Sequence, residues 1–253
     1  MSFIISGISE SGHRHTYNQD SVLVQRMQST HGEMAFACIC DGMGGLQHGE
    51  LASATLLYHL SEWADTRLPD LTGRFLCKEE LTQQWSDIIS ESNAAIRAFS
   101  LQADSKLGTT LTAALFWKNR YFIANIGDTR VYEIGKSVRI LTRDHTYVRQ
   151  EIDAGRMTPE QAAASGKEHI LTRCVGVNER VHADFYYGKT QKKALYLLCS
   201  DGFRHKIQPE EMKHALLSAA KDTESQNQAL QTLLALCRKR GEKDDISAVT
   251  VSQ

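Results

Sequence analysis

The apolar run MAFACIC at residues 34–40 is followed directly by DGMGG at residues 41–45. The run has the length and composition of a buried β-strand. It places the carboxylate of Asp41 in front of a glycine-rich segment, where the backbone can approach a bound group closely. The stretch therefore predicts a buried strand that ends in a tight turn and carries Asp41 towards a phosphate group or a metal ion.

The other apolar segments predict an α+β fold with antiparallel sheets. The links at Asn119 and at residues 135–137 are short enough for β-hairpins, and short links require antiparallel neighbours. Apolar residues at helical spacing predict one helix pair over residues 56–64 and 81–99 and a second pair near the C-terminus. We therefore expect a four-layer αββα sandwich, in which two central antiparallel β-sheets are flanked by helix pairs. The expected strands are 3–9, 20–28, 34–40, 109–117, 120–126, 131–134, 138–141, 184–187, 195–199 and 246–252.

Composition limits the possible classes of function. The chain has 253 residues, of which 42% are apolar, and no linker-like segment interrupts it, so we expect a single domain over residues 1–253. Its formal net charge of −1 gives no bulk attraction to nucleic acid or to an anionic membrane. No apolar run approaches the roughly 20 residues of a membrane span. The six cysteines show no CxxC spacing, which favours reduced thiols in a cytoplasmic protein.

Five aspartates lie at the ends of predicted strands, several of them beside a glycine. They are Asp20, Asp41, Asp128, Asp201 and Asp244. If the sheets stack, these strand ends lie along one edge, where converging carboxylates repel one another unless they bind protons or cations. Oxygen ligands of this kind suit Mg²⁺ or Mn²⁺ better than zinc or copper. The alternative for each aspartate is an ordinary turn, because Asp-Gly pairs are common in turns.

The segment DGMGG has a further alternative, a glycine-rich nucleotide-binding loop. Such a loop would show GxGxxG or GxxxxGK[ST] spacing at the start of a helix within a βαβ unit. Here Asp41 precedes the glycines, and no Lys-Ser or Lys-Thr pair follows them. The pattern favours a metal site over nucleotide binding.

Eight short motifs extend over essentially the whole chain: NQDS (18–21), DGMGG (41–45), GTT (108–110), GDTR (127–130), LTRDH (141–145), LTRCVG (171–176), CSDGF (199–203) and KDDIS (243–247). Taken in order, they resemble those of the metal-dependent PPM-type protein serine/threonine phosphatases in their bacterial form. The resemblance implies the same four-layer fold, with a flap at residues 145–169 beside the active site. It also implies phosphorylated protein substrates and an opposing serine/threonine kinase.

The resemblance also implies a centre with two Mn²⁺ or Mg²⁺ ions and a weaker third. Asp41 would bridge the two ions, and the carbonyl oxygen of Gly42 would bind one of them. Asp201 and Asp244 would bind the other ion. Asp128, together with Asp201, would hold the third.

The same resemblance implies that a water shared by two metal ions attacks the phosphorus atom directly, with Asp20 acting through metal-bound water. The family usually places a phosphate-binding arginine five residues before this aspartate, where the chain has His15; Arg14 is the other candidate. Met43 stands where eukaryotic members carry a histidine, and Asp245 where asparagine is common. Asp245 either strengthens metal binding or faces solvent.

Two functions are compatible with these motifs. The first is an active Mn²⁺- or Mg²⁺-dependent protein phosphatase that hydrolyses phosphoserine and phosphothreonine. The second is a catalytically weak or inactive pseudophosphatase that binds phosphoproteins, for which the substitution at His15 is the only support. Every expected metal position carries an aspartate or a glycine, which favours the active enzyme.

Overall fold

The computed structural model describes residues 2–14, 16–29, 32–44, 48–71 and 77–253. His15, one of the two predicted phosphate-binding residues, therefore lies outside the described residues. In the ranges that are described, no helix is both long and apolar enough to cross a membrane.

The strands form two sheets in which paired neighbours run antiparallel, as the short links predict. The first sheet has the strand order β1-β11-β10-β7-β8, and the second has the order β2-β3-β5-β6-β9, with β4 paired to the far end of β3. The strands are β1 (Ile4–Glu10), β2 (Asp20–Ser29), β3 (Gly32–Gly44), β4 (Leu107–Thr109), β5 (Leu111–Trp117), β6 (Arg120–Ile126), β7 (Arg130–Ile134), β8 (Val138–Ile140), β9 (Asp184–Lys189), β10 (Leu195–Cys199) and β11 (Ile246–Ser252).

The helices occupy three blocks of the chain. One block follows β3, a second lies between β8 and β9, and the third separates β10 from β11. They are α1 (Gly49–Thr66), α2 (Leu68–Leu71), α3 (Lys78–Gln102), α4 (Tyr147–Asp153), α5 (Pro159–Ala164), α6 (Asp201–Arg204), α7 (Pro209–Ser218) and α8 (Thr223–Lys239).

Strand β3 shows why the two sheets stack. Phe36 and Cys38 belong to the apolar cluster that β3 shares with α1 and α3, whereas Ala37 and Ile39 face the other way and pack in a cluster with Val249 of the first sheet. Because both faces are buried, the strand reads as a continuous apolar run. A third cluster lies between the first sheet and helices α7 and α8. The three clusters separate four layers, which confirms the predicted αββα sandwich.

The predicted turn directly after Cys40 is wrong. Strand β3 continues to Gly44, with Gly42 paired to Thr109 of β4. The predicted strand at 109–117 is correspondingly divided at Thr110, whose backbone N–H donates to the carbonyl oxygen of Asp41 at 2.8 Å. The glycines therefore extend the strand rather than reverse it.

Candidate active site

Four of the five predicted aspartates meet in one open cleft. Asp41 arrives on β3, Asp128 follows β6, Asp201 follows β10, and Asp244 precedes β11. The cleft has a volume of about 550 Å³, and all four residues line it together with Gly42. The convergence that was expected at one edge of the stacked sheets is thus present in the structure.

The backbone at Asp41 and Gly42 is held from both sides. The backbone N–H of Asp41 donates to the hydroxyl of Thr110 at 2.9 Å, and the N–H of Gly42 donates to the carbonyl of Gln19 at 3.0 Å. A Cβ atom on Gly42 would lie 2.2 Å from the carbonyl oxygen of Gly49. Only glycine fits there without a shift of the backbone, so the close packing fixes the position of Asp41.

Among the described residues, no cation forms an ion pair with Asp41. Burial raises the pKa of the Asp41 carboxyl well above its usual range, and the nearby carboxylates of Asp20, Asp201, Asp128 and Asp244 raise it further. Each of these causes disfavours the ionised form. A bound cation would offset the cost of burying the ionised carboxylate and would reduce the repulsion from its neighbours.

Asp20 lies behind Asp41, opposite it in the β2–β3 ladder. Its side chain is buried, and burial raises its pKa to about 8, although the hydroxyl of Ser247 partly offsets the effect. Its Oδ2 atom is buried and has no hydrogen-bond donor among the described residues. A buried oxygen that accepts no hydrogen bond destabilises the folded protein. The Oδ2 atom of Asp20 can therefore accept a hydrogen bond from a bound water.

These residues fit a hard divalent cation. The donors are carboxylate oxygens and the Gly42 carbonyl, which are ligands that Mg²⁺ and Mn²⁺ prefer. Within the described ranges, no three His, Cys, Asp or Glu side chains are already gathered into a cage for one ion. Mg²⁺ usually keeps several water ligands, so the residues of the cleft need not complete its coordination sphere.

Two arginines neutralise other acids of the cleft. Arg14 forms an ion pair with Asp244, but its side chain is 61% exposed. Arg204 forms an ion pair with Asp128 at 2.8 Å, and both of those side chains are buried, at 12% and 6% exposed. Burial still raises the pKa of Asp128 to about 7, with Asp201 adding to the shift and Arg204 opposing it.

With this geometry established, comparison with known proteins identifies the family. The family model described as "Protein phosphatase 2C" matches residues 10–237 of the chain. The chain belongs to the protein phosphatase 2C family. The resemblance found in the eight sequence motifs is therefore confirmed over most of its length.

Relatives of this phosphatase 2C chain include bacterial enzymes of similar length. It is 31% identical over 222 residues to the serine/threonine phosphatase stp of Listeria welshimeri, which covers 85% of this chain and 83% of that protein. Its fold matches the S. agalactiae serine/threonine phosphatase with a TM-score of 0.83, 25% identity and 98% coverage of both chains. It also matches the catalytic domain of the serine/threonine phosphatase PstP in complex with two manganese ions, with a TM-score of 0.77, 26% identity and 99% coverage of both chains.

Some residues around the site of this phosphatase 2C chain were missed or left open by the sequence. Asp245 is 5% exposed, and its carboxylate accepts from the backbone N–H groups of Gly12 at 2.6 Å and Gln19 at 2.8 Å. It therefore anchors the segment before β2 rather than facing solvent. Arg204 was missed altogether, because its partner Asp128 lies 76 residues away in the chain.

Proposed function

We propose that this protein is a Mn²⁺- or Mg²⁺-dependent phosphatase that hydrolyses phosphoserine and phosphothreonine in phosphorylated proteins. The observation that carries the proposal is the convergence of Asp41, Asp201 and Asp244 with the Gly42 carbonyl on a cleft in which Asp41 has no cationic partner among the described residues. Family membership and the serine/threonine phosphatases among its relatives support it.

We assign the two principal metal ions to four residues. Asp41 would contact both ions, the carbonyl oxygen of Gly42 would bind one of them, and Asp201 and Asp244 would bind the other. When bound, two such cations lower the pKa of a water molecule and neutralise charge on the phosphoryl group. Asp20, whose Oδ2 has no hydrogen-bond donor among the described residues, would accept a hydrogen bond from a water at the centre and so orient it.

We assign the substrate phosphate to Arg14, with His15 remaining a prediction outside the described residues. The Arg14 guanidinium lies in the cleft and pairs with Asp244 through a largely exposed side chain. Exposed ion pairs contribute little to stability, so Arg14 can leave Asp244 at small cost. With a cation at Asp244, the planar fork of donors of Arg14 would be available to bind a phosphate oxygen.

We propose residues 145–169 as a flap that selects substrates within a single domain over residues 1–253. The base of this segment is closed by two hydrogen bonds, from Tyr147 N–H to the Ile170 carbonyl and from Thr172 N–H to the His145 carbonyl, both at 2.8 Å. Between them lie α4 and α5, and His169 lines the cleft. A segment closed at its base and open to the cleft can vary in sequence without disturbing the metal ligands.

The wider setting is also part of the proposal. The substrates are phosphorylated proteins, in line with the named relatives. The enzyme opposes a cognate serine/threonine kinase. All six cysteines are free thiols, which supports a place in the reducing cytoplasm. The thiols have no part in the proposed chemistry.

The test is phosphate release from a phosphothreonine peptide and from p-nitrophenyl phosphate with Mn²⁺, with Mg²⁺ and with EDTA. We expect metal-dependent release that EDTA abolishes and that Asp201→Asn reduces strongly. Asp222→Asn is the matched control, because Asp222 only caps α8 and asparagine caps equally well. Peptide binding without release under any metal would instead favour the pseudophosphatase.

A further inference from the structure

Asp128 already has a cation, and the protein supplies it. The Nη2 atom of Arg204 lies 2.8 Å from Oδ2 of Asp128 and 3.1 Å from its backbone oxygen. Charge-assisted hydrogen bonds of this length are among the stronger ones in proteins. Asp128 therefore differs from Asp41, which has no ion-pair partner among the described residues and lies near several other carboxylates.

Arg204 has little freedom to leave this position. It sits at the end of the one-turn helix α6 that begins with Asp201, so the ligand-bearing turn also carries the guanidinium. Its Nε atom is buried and finds no acceptor in the part of the chain that the structure describes. The neighbouring acid, Asp144, is taken by Arg130, whose Nε and Nη2 atoms contact its two oxygens at 2.9 and 2.6 Å.

Separating this pair would leave a buried charge without a partner. Breaking a buried ion pair by removing one member is strongly unfavourable for that reason. A divalent cation that approached the second oxygen of Asp128 would also meet the positive charge of Arg204 at close range, and like charges repel strongly in a poorly solvated site. Both effects oppose a metal ion at Asp128.

We propose that Arg204 takes the place of the third metal ion at Asp128. The inference rests on the proposed function, in which Asp41, Gly42, Asp201 and Asp244 hold two ions. It narrows the expectation from the family resemblance, because a third ion binds this chain only weakly while Arg204 is present. The centre then works with two metal ions, and the guanidinium of Arg204 stands where a third ion would bind.

The experiment counts bound Mn²⁺ by equilibrium dialysis of the purified full chain. We expect two tightly bound ions in the unaltered protein. Arg204→Gln removes the charge and keeps a polar side chain of similar reach, so Asp128 becomes available and a third ion binds at least tenfold more tightly than before. The double variant Arg204→Gln with Asp128→Asn should lose that gain.

Two controls keep the result decisive. Arg240→Gln makes the same chemical change at the exposed pair with Glu211 and should leave the metal count unchanged. Asp128→Asn alone tests the proposal even if Arg204→Gln fails to fold. This variant should bind as many Mn²⁺ ions as the unaltered protein. Three ions of similar affinity in the unaltered protein, or loss of one ion in Asp128→Asn, would overturn the inference. Failure to bind any Mn²⁺ would instead overturn the proposed function.

Discussion

The two sides of the cleft each carry an aspartate, Asp41 on one and Asp128 on the other, but they differ in how the negative charge is balanced. On the first side, no cation among the described residues pairs with Asp41, and its pKa is raised by burial and by its acidic neighbours. On the other side, Asp128 is paired with Arg204. An acidic residue at a strand end therefore does not by itself define a metal ligand; whether a buried protein cation already pairs with it also matters.

Asp244 is intermediate between these two sides. Its partner Arg14 is exposed, whereas the partner of Asp128 is buried. An exposed pair is screened by water and easily exchanged, while a buried pair is not. The comparison ranks the acids by their readiness to accept a metal ion: Asp41 first, Asp244 next and Asp128 last.

Replacement of Asp41 removes the acid that has no ion-pair partner among the described residues. It should have the largest effect on phosphate release. We expect Asp41→Asn to lower phosphate release by at least about 10²- to 10³-fold, since it removes charge where the reaction needs it. The metal-free variant should melt at a higher temperature than the unaltered protein, because a repelled buried charge is gone. Phosphate release and melting in EDTA measure the two effects. Retention of most of the activity would contradict the assignment of Asp41 as a ligand.

Removal of the metal ions with EDTA compares the metal-bound and the metal-free protein without a mutation. At free Mn²⁺ 100 times its Kd, one site adds about 2.7 kcal/mol to the free energy of unfolding. For a chain of this length, each kcal/mol raises the melting temperature by about 2–4 °C. Melting curves in Mn²⁺ and in EDTA should therefore differ by several degrees, and the difference should disappear in Asp41→Asn. An equal shift in that variant would place the stabilising ion elsewhere.

Substitution of Gly42 tests whether the close backbone packing holds Asp41 in position. A Cβ atom there would lie 2.2 Å from Gly49 O and 2.6 Å from Gln19 O, so Gly42→Ala forces the strand to move. We expect a loss of about 1–3 kcal/mol in the free energy of unfolding and reduced phosphate release. Gly135→Ala is the matched control, since its nearest contacts would be at 3.8 Å. Urea unfolding of both variants distinguishes a local clash from a general effect of alanine.

The sequence predicted the architecture well because the decisive signals are local. Hairpin-length links require antiparallel neighbours, and the double-faced apolar pattern of β3 requires a layer on each side. The end of β3 was missed for a physical reason: Gly42 continues the strand because Thr109 pairs with it. Glycine usually weakens a strand, and composition does not reveal a partner that lies elsewhere in the chain.

The sequence predicted which acidic residues form the site, but not which residues form ion pairs or hydrogen bonds with them. Strand-end position identified Asp41, Asp201 and Asp244 without knowledge of the fold. The partner of Asp128 is Arg204, 76 residues away, and Asp245 bonds to the backbone of Gln19 across 226 residues. Such long-range contacts decide which acid is neutralised, and no local pattern encodes them.

Replacement of His145 should have the smallest effect on stability. It tests how the backbone next to Asp128 is held in place. Its Nδ1 accepts a hydrogen bond from Gly127 N–H at 3.0 Å, and Gly127 directly precedes Asp128. Its Nε2 contacts Asp184 at 3.1 Å, which in turn pairs with Arg173 at 2.6 Å. The acceptor role requires neutral imidazole, and burial lowers the pKa of His145 below its usual value, with Arg173 adding to the effect and Asp184 and Asp144 opposing it.

A lowered histidine pKa contributes stability that is present above the unfolded-state pKa of about 6.5 and is lost as the pH falls through the lower folded-state value. The unaltered protein should therefore lose more free energy of unfolding between pH 7 and pH 5 than His145→Asn, whose amide oxygen can accept from Gly127 at either pH. Urea unfolding at both pH values, in EDTA to exclude metal binding, measures this difference. Equal losses in the two proteins would show that the Gly127 contact does not depend on the protonation of His145, and the support of Asp128 would then rest on Arg204 alone.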